Sequence, residues 1–151
     1  MMHKLLVGIV GAFGGTFSYT YLLHAPRQTA IPASLIAVAG YVVYLLVDAA
    51  GCSAIFSYFL ATVVISSLCE ISARVMRLPS TTFLLSALVP LVPGYTIYSA
   101  MLALVENNGM EAASAGLKAV QLVAAIAVGA AVTPVLFRAF YRRTQAMHTR
   151  R

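Results

Sequence analysis

Glu70 and Arg74 stand four residues apart, which places a carboxylate and a guanidinium on one face of a helix. Glu70 follows directly on the uncharged run 49–69 and lies about one turn inside the basic positions Arg74 and Arg77. A carboxylate at that depth is costly unless it is paired or faces water. Two chemistries fit it. One is a proton-titrating group in a transport path, with Arg74 as its partner or as a carboxylate binder. The other is an ion pair that fixes the helix end. Ser66, Ser67 and Ser72 put further polar atoms around it. Asp48 suits either ion coupling or a solvated helix end. His24 reads as a solvated interface residue, with proton sensing as its alternative role.

The second chemical stretch is Pro90-Leu91-Val92-Pro93-Gly94, inside the uncharged run 78–105. As a helix, residues 81 to 104 would extend about 36 Å, more than the roughly 30 Å of a bilayer's hydrocarbon core. Pro90 and Pro93 remove two backbone donors and clash with the preceding turn. Pro93 also steers Val92 out of the helical region, and Gly94 is expected to take conformations closed to other residues. A helix broken at membrane depth marks a transport site, because freed backbone there needs protein, water or a ligand. Tyr95 and Tyr98, with Thr96 and Ser99, supply hydroxyls just after the break. They could satisfy freed backbone or bind a polar ligand. The half-helix they begin would aim its positive end at the break, which suits a carboxylate. The plainer alternative is a proline kink with no ligand.

These residues need a scaffold, and the composition says which. Of 151 residues, 61% are hydrophobic and only 9% are charged, with no tryptophan. That excess of apolar surface specifies a polytopic membrane protein and leaves no soluble domain. Uncharged runs at 5–26, 28–47, 49–69, 78–105 and 119–137 can each hold a spanning helix of about 20 residues. The expectation is an all-α integral membrane protein of five transmembrane helices, the fourth broken at Pro90–Gly94. Residues 1–137 form the helical domain and 138–151 a basic cytoplasmic tail. The net charge of +6 belongs to topology and not to nucleic acid. Arg27, Arg74, Arg77 and the five tail arginines fall on one side, Lys4 and Lys118 on the other. That places the C-terminus in the cytoplasm and the N-terminus outside. His3-Lys4 pulls weakly the other way. The first run is too long for a signal-peptide core and is kept as a helix.

Small residues predict where helices approach. Gly8, Gly11 and Gly15 on the first helix, the last two a GxxxG pair, and Gly129 on the fifth are packing positions. Tyr19 and Tyr21 suit the cytoplasmic interface. Pro32 falls in the first turn of the second helix, and Pro79-Ser80-Thr81 starts the fourth. Cys52 and Cys69, 17 residues apart on one predicted helix, are too distant to bridge and are expected to be buried. Glu106 to Gly109 is read as a solvated outer loop without a site. Lys118 is expected to snorkel to the outer surface, and the arginine tail to anchor topology or bind anionic lipid head groups. Nothing in the sequence spaces metal ligands, pairs a nucleophile with a base, or cradles a phosphate. No enzyme, metal or cofactor is expected.

With these residues in view, the chain resembles the small subunit of the threonine/serine exporter family, some of whose members are split into a large and a small protein. The resemblance rests on Pro26 after the first helix, on Glu70-Ile71-Ser72-Ala73-Arg74 followed by Pro79, and above all on Pro90-Leu91-Val92-Pro93-Gly94 with Tyr98. His24-Ala25-Pro26 stands where members often have Asn-Val-Pro. The resemblance implies proton-driven export of small hydroxy amino acids from the bacterial inner membrane, with a larger membrane subunit as partner. A related split system implies dicarboxylates such as succinate. Five helices are few for a transporter, so assembly with that partner or into a homo-oligomer is expected. The rival reading is a non-transporting scaffold that stabilises a partner.

Overall fold

The computed structural model describes residues 2–148, with side chains described for 6–137 and 139. Six α-helices follow one another: α1 (Met2–Leu22), α2 (Ala30–Ala49), α3 (Ala54–Met76), α4 (Ser80–Ala87), α5 (Gly94–Val105) and α6 (Gly109–His148). Short 3-10 turns stand at Arg27–Thr29 and Val89–Leu91. Among the described residues there is no strand. Three segments, Arg27–Ala49, Ala54–Met76 and Gly109–Phe137, are long and apolar enough to cross a membrane; Leu6–Leu22 and Gly94–Val105 are shorter apolar helices.

Local chemistry sets the boundaries. After α1 the chain turns through His24, whose φ is 53°. Thr29 donates its hydroxyl to Pro26 O at 2.7 Å and closes the turn that leads into α2. Ser53 caps α3 by accepting from Phe56 N, and Arg77 ends that helix in the left-handed region with its N–H on Ala73 O. Pro79 precedes α4 as expected. Asn107, at φ 59°, turns the chain between α5 and α6. Asn108 then caps α6: its Oδ1 accepts from Glu111 N, and its Nδ2 donates to Glu111 Oε2 at 2.7 Å. This is a capping pair in the N-cap and N3 positions.

The core lies between α2, α3 and α4. Ala33, Ile36 and Ala37 meet Ala61, Ile65, Cys69 and Ala73, and Phe83, Ala87 and Leu91 close the third side. Alanines bring the backbones close. Gly40 goes furthest, since a Cβ there would overlap Ile65. α1 packs on α2, and α6 packs on α3 and α5. Gly8 lies under the Tyr41 ring, and Gly129 lies against Phe59 O and Thr62. Gly11 and Gly15 behave differently: a Cβ at either would meet nothing within 4 Å. Among the described residues nothing packs against their face of α1 at that distance.

Three sequence expectations change. Cys52 is exposed, because it belongs to the link before α3 and not to the helix; Cys69 is buried as expected. α6 does not end at Phe137 but runs to His148, carrying Pro134 within it. Gly94 is not among the residues with positive φ. The break therefore uses backbone conformations open to any residue, and the prolines alone account for it. Lys4 and the tail arginines, with their expected topology and lipid roles, lie outside the described side chains.

Candidate functional site

The break is wider than the five residues that signal it. α4 ends at Ala87, the chain makes a 3-10 turn over Val89–Leu91, and Val92 is extended at ψ 125° before α5 starts at Gly94. The backbone rebonds locally. Leu91 N donates to Leu88 O at 2.9 Å, Val92 N to Val89 O at 3.2 Å, and Gly94 N to Val92 O at 2.7 Å. These three donors are thus met by carbonyls and not by the tyrosine hydroxyls. Leu91 and Pro93 are buried, Pro90 is half-buried, and Gly94, Tyr95 and Tyr98 are exposed.

The two halves have different neighbours. α4 sits inside the bundle against α2 and α3 and touches α1, and the 3-10 turn packs on α1 and α2. α5 leaves that bundle and pairs with α6. Of its twelve residues only Ala103 is buried.

The hairpin of α5 and α6 carries an open cleft of about 410 Å³ on its surface. Tyr95, Thr96 and Ser99 line it from α5, and Glu111, Ser114 and Lys118 from α6. Ser99 donates its hydroxyl to Thr96 O at 2.9 Å, and Ser114 donates to Glu111 O at 2.9 Å. Both oxygens keep lone pairs for a donor that enters the cleft. The N–H groups of Tyr95 and Thr96, in the first turn of α5, have no acceptor among the described residues. Lys118 has no ion-pair partner among them. It also borders a second cleft of about 450 Å³, which Ser53 and Ala54 line from the start of α3.

Glu70 and Arg74 pair as their spacing predicts, with Arg74 Nη2 4.0 Å from Glu70 Oε2. The Arg74 guanidinium also stands 5.4 Å over the Phe137 ring, within cation–π range. Ser66 beside them is buried, and Ser67 donates to Val63 O at 2.7 Å. This pair does not join the cleft. Glu70 lies about 24 Å along α3 from Ala54, the end beside Lys118. Asp48 and His24 are exposed and sit at neither place.

Tyr95 lines the cleft, while Tyr98, expected to supply a hydroxyl beside it, stays outside the lining. Lys118 and Glu111 are the residues that sequence reasoning missed. A signal existed. A helical hairpin with a short turn centred on Asn107 pairs residues equally distant from it, and Thr96 and Lys118 both lie eleven positions away.

Compared with known protein families, residues 8–136 match the family model described as Threonine/Serine exporter, ThrE. The match spans most of α1, all of α2 to α5 and most of α6, including the break and the cleft. No curated protein and no solved structure matches the chain.

Proposed function

Since the chain belongs to the threonine/serine exporter family, we propose that it is the small membrane subunit of a secondary exporter of small carboxylate-bearing metabolites. Threonine and serine are the first candidates, and a dicarboxylate such as succinate is the second. Family membership and the apolar helices make it a multi-pass membrane protein. In our reading α4 and α5 count as one broken crossing, which gives five spans. The arginine-rich C-terminus then lies in the cytoplasm and the N-terminus outside, in the bacterial inner membrane. Export runs in exchange for protons and in concert with a larger subunit of the same family.

The observation that carries this reading is the break itself. A chain interrupted by Pro90 and Pro93, with one half in the bundle and the other leaving it, follows the design of discontinuous helices that line transport paths. Pro90 and Pro93 make the break, Gly94 opens the second half, and Tyr95 and Tyr98 carry hydroxyls on the turns that follow it. Glu70, with Arg74 beside it, is the group assigned to proton coupling. The test is flux in liposomes that hold this chain together with the larger polytopic subunit that co-purifies with it in mild detergent. An imposed pH gradient should drive labelled threonine or serine, and a protonophore should abolish the movement. Flux no greater than in empty liposomes would overturn the transport reading.

One observation favours the second reading, a non-transporting scaffold: Gly11, Gly14 and Gly15 face away from the chain with nothing within 4 Å. In that case Glu70→Gln and Tyr98→Phe would change the yield of the complex and leave substrate selectivity unaltered. A selectivity change at fixed yield excludes it.

A further inference from the structure

We propose that the α5–α6 cleft is the substrate-recognition site of this chain, and that Lys118 and Glu111 select a zwitterionic α-amino acid over a dicarboxylate. The inference rests on the exporter reading and sharpens it, because that reading leaves both substrate classes open.

The cleft of about 410 Å³ has room for a molecule the size of threonine with some water. Its lining is uneven in charge. At one end Lys118 stands with Tyr95 and Thr96, which lie in the first turn of a twelve-residue helix. An ammonium and the positive end of a helix both favour a carboxylate. At the other end is Glu111, two turns back along the same face of α6, a rise of about 10 Å. Its Oε2 is taken by Asn108, while its Oε1 has no partner among the described residues.

Between the two charges lie Ser99 and Ser114, whose protons are committed to their own helices. They act as acceptors, for an ammonium or for a substrate hydroxyl. Lys118 and Glu111 are too far apart along α6 for the close i, i+4 pairing of Glu70 and Arg74. Their side chains can instead converge on a ligand that carries both signs. A dicarboxylate would satisfy Lys118 but bring its second carboxylate against Glu111.

Two experiments on the assembled exporter in liposomes test this. In the unmodified complex, unlabelled serine should compete with labelled threonine. N-acetylserine, which lacks the cation, serinamide, which lacks the anion, and succinate should not. This arm needs no variant and so does not depend on one folding. Lys118→Gln and Glu111→Gln should each raise the threonine KM about ten- to a hundredfold, the scale of one lost charge-assisted hydrogen bond. Glu106→Gln removes the same charge from the nearby turn without touching the cleft, and should leave KM unchanged. Competition by succinate as strong as by serine would overturn the inference and leave the exporter reading standing. So would an unaltered threonine KM in both cleft variants. No threonine flux in the unmodified complex would remove both.

Discussion

At the residue scale, glycines show how far a residue type can be read without a partner in view. Gly8, Gly11, Gly15 and Gly129 all look like packing positions in sequence, yet among the described residues only Gly8 and Gly129 approach another helix. The tightest approach is at Gly40, where the neighbour is the fully buried Ile65. Gly40→Ala should therefore cost about 1–3 kcal/mol by overpacking. A heated-sample size-exclusion profile would show this as a lower midpoint. Gly94→Ala meets open space at an ordinary φ, so it should hold or slightly raise that midpoint. The Glu70–Arg74 pair calls for a different test. At 4.0 Å, with side chains 17% and 42% exposed, it adds little to stability, about 0–1 kcal/mol. Glu70→Gln should accordingly leave the melting profile in place. If Glu70 carries the proton, the same variant should lose accumulation driven by a pH gradient and retain substrate-for-substrate exchange. A variant that kept gradient-driven accumulation would take the coupling role from Glu70.

At the element scale, the break was legible because proline acts locally: the missing donors and the ring clash need no tertiary context. The existence and order of the helices were legible for a similar reason, since uncharged runs of membrane-spanning length leave few alternatives. The direction in which the second half travels was not legible. α4 has eight residues and α5 twelve, about 12 Å and 18 Å of helix, so neither crosses a bilayer alone. The pairing of α5 with α6 follows from the turn at Asn107 and from packing along the hairpin. Apolar periodicity does not encode this, because both helices are apolar on most faces. Replacing Pro90 and Pro93 together by alanine should let α4 run on as a regular helix and swing α5 away from α6. The check is a cross-link between Ser99→Cys and Ala115→Cys, which both line the cleft, in a background without Cys52 and Cys69. A short bis-maleimide should join them in the native sequence and fail to do so in the double alanine variant, with export lost in parallel. Equal cross-linking in the two would mean that packing on α6, and not the prolines, sets the course of α5.

At the scale of the whole molecule, two helix faces stand exposed among the described residues. α5 contacts α6 and leaves Tyr95, Tyr98, Met101 and Leu104 exposed. Exposure of that kind is ordinary in lipid, which solvates apolar side chains as well as another helix does. The outward face of α1 is more informative. Gly11, Gly14 and Gly15 give up side-chain contact with lipid and meet nothing within 4 Å among the described residues. Small residues are useful on an outer face where a second helix backbone comes close. The sequence could show the GxxxG spacing but not which way it points, because direction depends on which face of α1 binds α2. Ala12, Thr16 and Thr20 take that inner role, each at most 5% exposed. If the larger subunit docks on the outer glycines, Gly11→Leu and Gly15→Leu should leave the thermal midpoint of the isolated chain unchanged, since among the described residues nothing stands within 4 Å of where such a side chain would start. The same substitutions should reduce recovery of the larger subunit in a mild-detergent pull-down by about tenfold or more, the effect of overpacking a close helix contact. Gly129→Leu would give the opposite pattern, because it lies 3.1 Å from Phe59 O inside the bundle: the midpoint should fall before assembly is affected. Unchanged recovery with both α1 variants would move the partner to another face, and the exposed side of α5, next to the cleft, would be the place to substitute next.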